Sequence, residues 1–247
     1  DVIALTILGI LLDLKDVEPT FANISQATVF TVLKLVVFLI IIALTYKLIQ
    51  KLAQKENFIE NQLNLILTFL KGKESLFAVF FVFILIFATM TESIGLHFII
   101  GAFFASMLIS KELVGEKHLE TFHNTTNSMA MGFLAPIFFA GIGLEFQFSS
   151  IQNYPLLFAI IGVSFLSKII GGYIGGRFAR LNHKVSLALG IGLNARGIME
   201  LVIANIAYKA GIINTEIFSM LVIMGLITTL STPFLLKRAF KSIEKIV

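Results

Sequence analysis

Arg196 and Glu200 stand four residues apart in "GIGLNARGIMELVIANIA", residues 190–207, a stretch otherwise apolar enough to cross a membrane. On a continuous helix that spacing puts the two charges on one face, where they can pair. An ionisable group at mid-membrane costs about 2.5–3.5 kcal/mol on insertion scales, so such groups face a partner or a polar cavity. One reading is mutual neutralisation at a helix contact. The other is a cavity, and it is favoured by Gly190, Gly192, Asn194 and Gly197 immediately alongside. Glycines at that density weaken a helix, and an interrupted membrane helix exposes backbone groups that are tolerable only where they line a cavity. Half-helices of this kind build ion sites in secondary transporters.

Three more charges fall inside apolar runs. Lys168, in "GVSFLSKIIGGYIGG", is 9 residues from Arg177 and 13 from Pro155, so neither interface is easily reached. It is either structural or the partner of a buried acid. The pairs Gly171/Gly175 and Gly172/Gly176 beside it allow close helix approach. Lys34 lies about two turns into its run and is expected to snorkel to the nearer interface. Asp1 opens "DVIALTILGILL" and has no meaning taken alone.

The elements that would position these residues are helices. The chain is 57% hydrophobic and 14% charged, with a mean hydropathy of +0.93; a soluble domain is about 45–50% apolar and about a quarter charged. Apolar runs of about 18 residues or more recur, each long enough for a hydrocarbon core of about 30 Å. An all-α, polytopic membrane bundle follows, because open sheets leave backbone unsatisfied in lipid. The lack of cysteine removes disulfides, thiolate metal sites and cysteine nucleophiles. With no tryptophan, any aromatic belt rests on four Tyr and some of the 25 Phe.

About eight spans are expected: a stub at Asp1–Leu12, then Ala27–Leu48, Leu76–Glu92, Leu96–Ile109, Met129–Phe146, Pro155–Arg177, Val185–Ala210 and Phe218–Leu236. The chain starts inside an apolar run with no signal peptide, as expected of a fragment whose N-terminal part is missing. "FIENQLNLILTFLKGK" places Phe58, Leu63, Ile66, Leu67 and Leu70 on one helical face, the pattern of an interfacial helix. A polar helix is expected over "SKELVGEKHLETFHNTTNSM".

Basic residues set the orientation. Fourteen of the 19 Lys and Arg cluster on one side of this arrangement, around Lys47–Lys73, Lys111–Lys117, Arg177–Lys184 and Lys237–Lys245, against Lys15 and Lys209 opposite. By the positive-inside rule the basic side and the C-terminus are cytoplasmic. The net charge of +4 therefore needs no nucleic acid partner.

Several segments together resemble the monovalent cation:proton antiporter superfamily, the sodium/hydrogen exchanger-like membrane domain, especially its bacterial Kef-type and plant cation/proton exchanger branch. "GLHFIIGAFFASMLIS" is similar to the family's "GLxxxxGAFxAGxxxS", and "FLAPIFFAGIGLEF" to its "PxFFxxxGL". "FLSKIIGGYIGG" matches the helix that carries a membrane-embedded lysine, and "GLNARGIMELVIA" resembles "GxxxxxRGxxEL". The resemblance covers essentially all 247 residues, as the second half of an inverted-repeat domain with a discontinuous core helix. It implies a secondary transporter that exchanges Na+ or K+ for H+, multi-pass in a cell membrane such as the bacterial inner membrane, a homodimer in the lipid bilayer, and no cofactor.

The same resemblance implies roles. Asp1 would be the second acid of an Asp-Asp or Asn-Asp pair, the carboxylate that takes cation and proton alternately. Lys168 would pair with the preceding partner, and Arg196 and Glu200 would lie on the discontinuous helix. A carboxylate in a partly dehydrated cavity has its pKa raised, and a buried lysine its pKa lowered. One acid holding either H+ or a cation couples the two fluxes by competition, and backbone carbonyls at a helix break can supplement its oxygens. A gated K+ efflux pathway of Kef type and an organic-anion or solute symporter are the alternatives. No phosphate-binding G-x-x-x-x-G-K-[ST] loop and no H-E-x-x-H occurs. His97, His118, His123 and His183 fall near span ends or in loops; His118 and His123 are expected to be solvated, with cytoplasmic pH sensing as the alternative.

Overall fold

A computed structural model describes residues 2–13, 21–53, 75–110, 115–195 and 197–244. Among the described residues there are helices and turns and no strand. They form two compact units, residues 1–138 and 139–247. Among the described residues four helices are long and apolar enough to cross a membrane: Ile24–Lys51, Glu116–Glu145, Tyr154–Phe178 and Thr215–Lys241, with shorter apolar helices at Ile3–Leu12, Phe77–Ser93 and Phe98–Leu108. The interfacial helix expected at Phe58–Lys73 lies outside the described residues.

The first unit holds α1 (Val2–Asp13), α2 (Phe21–Ala53), α3 (Ser75–Ser93), α4 (Phe98–Leu108) and α5 (Glu116–Met129). α3 and α4 form a tight hairpin. Gly101 makes it possible, because a Cβ there would collide with the Phe87 carbonyl oxygen and Thr91 Oγ1. Thr91 is fully buried, and its hydroxyl donates back to Ala88 O at 2.8 Å. Aromatic edges close the other contacts: Phe38 of α2 meets Phe104 of α4 at 6.1 Å, and Phe80 of α3 meets Phe122 of α5 at 4.9 Å. The Lys34 ammonium lies against the α3–α4 turn, within 2.7 Å of where a Gly95 Cβ would stand. Snorkelling to that end of α3 accounts for it.

The polar helix does not stop before the fifth span, as the sequence reading had it. α5 continues through a π turn at Ala130–Leu134 into α6 (Ala135–Glu145). Pro136 supplies the reason for the π turn. A proline inside a helix withholds one N–H and crowds the carbonyl four residues back. A single π turn absorbs the misfit, with Ala135 N–H donating to Ala130 O.

The second unit adds α7 (Tyr154–Phe178), α8 (His183–Gly192), α9 (Ile198–Lys209) and α10 (Thr215–Glu244). Asparagines start three of them. Asn153 Oδ1 accepts from Leu156 N–H at 3.0 Å, Asn182 from Val185 N–H at 2.8 Å and Asn214 from Ile217 N–H at 2.9 Å, each satisfying an orphan donor of a first turn. Glu216 ties α10 to the start of α7 by accepting the Gln152 and Asn153 N–H groups, both at 2.9 Å. Ile151, Leu157 and Met220 form the core between these two helices.

Candidate functional site

The expected seventh span is two helices. α8 ends at Gly192 and α9 begins at Ile198, with Leu193 as the C-terminal and Gly197 as the N-terminal cap. α8 is held by a small-residue crossing with α7. A Cβ on Gly172 would come within 2.6 Å of the Gly190 Cα, one on Gly176 within 2.9 Å of Ser186 Oγ, and one on Gly190 would strike the Ile169 carbonyl oxygen. The crossing therefore needs Gly172 and Gly176 on one helix and Ser186 and Gly190 on the other. Gly171 and Gly175 have nothing within 4 Å of an added Cβ, so only one of the two glycine pairs seen in the sequence makes this contact.

Gly190 thus packs inside α8, and the interruption is confined to Leu193–Gly197. Gly192 meets only Leu236 Cδ1, at 3.8 Å, and Gly197 has no neighbour within 4 Å of an added Cβ. Neither is required by packing. Both sit where two half-helices end, and their lack of a side chain leaves the backbone there accessible.

Asn194 is the centre of this break. It is 0% exposed, and its backbone N–H donates to Ile191 O at 3.1 Å. Among the described residues, neither Oδ1 nor Nδ2 of its side chain has a hydrogen-bond partner. A buried polar atom without a partner costs about 1–3 kcal/mol, and a carboxamide that tolerates this is suited to a ligand supplied from elsewhere. The half-helix dipoles add a field. The C-terminal end of α8 carries about half a negative charge and the N-terminal end of α9 about half a positive one. Glu200, partly buried in the first turn of α9, complements the second of these. The negative end of α8, next to the Asn194 oxygen, favours a cation.

Asp1 and Arg196 lie outside the described residues. Glu200 lies in the first turn of α9, which starts at Ile198. Lys168 lies on α7 one turn before the glycine crossing and is exposed within the second unit. Lys168, Glu200, Gly190, Gly192, Asn194 and Gly197 all belong to that unit.

Sequence reasoning passed over one cluster. Glu145, at the end of α6, accepts from Asn205 Nδ2 and pairs with Lys209 Nζ at 3.5 Å. The signal was present: Asn205 and Lys209 are four apart, and Glu145 and Lys209 both sit at span ends on the weakly basic side. Lys209 is 63% exposed, so this pair is a surface clasp worth under about 1 kcal/mol.

Comparison with known proteins gives a consistent outcome. The family described as "Sodium/hydrogen exchanger, transmembrane" matches residues 1–241. A Na(+)/H(+) antiporter of Enterococcus hirae is 36% identical over 155 residues, covering 62% of this chain and 39% of the relative. The Na(+)/H(+)-K(+) antiporter GerN of Bacillus cereus is 30% identical over 177 residues, 71% of this chain and 45% of the relative. Cation/H(+) antiporter 17 of Arabidopsis thaliana is 29% identical over 154 residues, 61% of this chain and 18% of the relative. The chain spans less than half the length of these relatives.

Proposed function

The chain belongs to the sodium/hydrogen exchanger transmembrane family, and from that premise we propose that it forms part of a secondary transporter exchanging Na+ or K+ for H+. The observation that carries the reading is the break at Leu193–Gly197, with the unpartnered Asn194 carboxamide buried in it. A packing kink would have its polar groups satisfied internally. An ion pathway leaves them for its cargo.

In the proposed cycle Asp1 is the exchanging carboxylate and takes either a proton or the cation. Oxygen donors suit a hard alkali ion, and within the second unit Asn194 Oδ1 and the carbonyls closing α8 are the neutral oxygens suited to one on its pathway. Lys168 serves as a core charge partner in the pathway. Arg196 and Glu200 balance the two half-helix ends and do not bind the transported ion. Alternating access exposes the site to each side in turn, in a homodimer with a cytoplasmic C-terminus. The relatives' names support both cations as candidates, one of them naming Na+ and K+ together.

The test uses the full-length protein in liposomes with a trapped pH indicator. An imposed Na+ or K+ gradient should move protons in the opposite direction, and choline should not. Cation flux with no proton movement would replace exchange by gated efflux.

A further inference from the structure

At one end of the second unit α8 and α10 leave a pocket of about 430 Å3. Leu181, Val185, Leu189 and Leu193 wall one side, Leu236 and Phe240 the other, and every lining residue is apolar or glycine. Its mouth is basic. Arg180 precedes Leu181, Lys237 follows Leu236 and Lys241 follows Phe240, and all three are exposed. No acid occurs between Arg177 and Leu193 or between Pro233 and Lys241. Two segments far apart in sequence thus carry exposed cations next in the chain to the residues that line one apolar slot.

Arg180 carries a second, independent observation. α3, α7 and α9 all end in the same hydrogen-bonded turn, closed by Leu96 N–H to Thr91 O at 2.9 Å, Leu181 N–H to Gly176 O at 3.0 Å and Ile212 N–H to Ala207 O at 2.9 Å. The turn needs one residue in the left-handed region, where glycine carries no Cβ penalty. Gly95 at φ +78° and Gly211 at φ +71° fill that place in two of the three, but in the α7 turn it is Arg180 at φ +60°. A strained arginine where the same chain elsewhere uses glycine is explained by a use for its charge.

We infer that this pocket binds one anionic phospholipid, with an acyl chain between α8 and α10 and the phosphate on Arg180, Lys237 and Lys241. The chemistry is that of basic pockets between membrane helices on the cytoplasmic side, and the guanidinium matches a phosphate's oxygens two at a time. The lipid braces α8, the half-helix that ends at the Asn194 break, against α10.

The test is photolabelling of the purified full-length protein with phosphatidylglycerol carrying a diazirine in its acyl chain, with adducts mapped by peptide mass spectrometry. Adducts are expected in 181–193 and 236–240. Unlabelled phosphatidylglycerol should compete at least about tenfold better than phosphatidylcholine, and glycerol phosphate should not compete. Arg180→Gly removes the backbone strain, so it should melt no lower than the parent in phosphatidylcholine while losing much of the preference for the anionic lipid. Lys237→Gln/Lys241→Gln should lower that preference further. Absence of adducts from both segments would mean that a polypeptide or nothing fills the pocket, and would overturn the inference. So would equal competition by phosphatidylcholine, or an undiminished preference in Arg180→Gly.

Discussion

Replacing Asn194 by leucine separates a residue kept for folding from one kept for function. The side chain is 0% exposed and neither of its polar atoms is hydrogen-bonded. Removing them relieves a desolvation penalty of about 1–3 kcal/mol, and leucine, of the same branched shape though bulkier, adds apolar burial. The cation-free Asn194→Leu protein should therefore be more stable than the parent by about 1–3 kcal/mol, a rise of several degrees in melting temperature. If the Oδ1 atom helps to hold the transported ion, the same variant should lose at least about tenfold in exchange rate, since a ligand worth 1.4 kcal/mol is a factor of ten. A ligand that binds only the folded state also stabilises it, by about 2.7 kcal/mol at a hundred times its dissociation constant. Saturating Na+ or K+ should accordingly raise the melting temperature of the parent and not that of Asn194→Leu. The reasoning is refuted if Asn194→Leu melts lower than the parent and exchanges normally, because the carboxamide would then be an ordinary structural bridge.

The glycines of α7 should divide by face. Gly172→Ala places a methyl against the Gly190 backbone and should cost about 1–3 kcal/mol, whereas Gly171→Ala, with nothing within 4 Å, should be neutral or stabilise by up to about 1 kcal/mol; thermal melting distinguishes them. Lys168→Ala in the full-length protein should slow exchange or shift its pH profile and lower the melting temperature, and unchanged transport, profile and melting would leave Lys168 a structural residue. In the cysteine-free chain an impermeant external thiol reagent should label Ser150→Cys and not Ser242→Cys, and the opposite pattern would invert the topology.

What the sequence discloses is what a one-dimensional pattern can hold. Apolar runs mark the long helices, because lipid imposes one polarity over a whole span. The crowding of Gly190, Gly192, Asn194 and Gly197 marks the interruption, because weak helix formers act locally. The function of each glycine is not local. Gly190 and Gly197 look alike in sequence, yet one lies against the Ile169 carbonyl oxygen and the other faces open space, a difference made by a partner helix about 20 residues away in the chain. Polarity changes near Met129, but no proline stands there, so the helix runs on into the span through a π turn at Ala130–Leu134, just before Pro136. Arg180 was visible only as one more basic residue, since φ is not written in composition.

Competition between a proton and a cation for the Asp1 carboxylate is the central claim, and the pH dependence of the apparent KM for the cation tests it most directly. It should be measured in liposomes holding the full-length protein, and Asp1→Asn should give no exchange at any pH. In the parent, lowering the pH below the carboxylate's pKa should raise the apparent KM for Na+ or K+ about tenfold per unit, with the maximal rate unchanged, as simple mass action at one site requires. An apparent KM that stays constant across that range, or exchange that survives in Asp1→Asn, would contradict it.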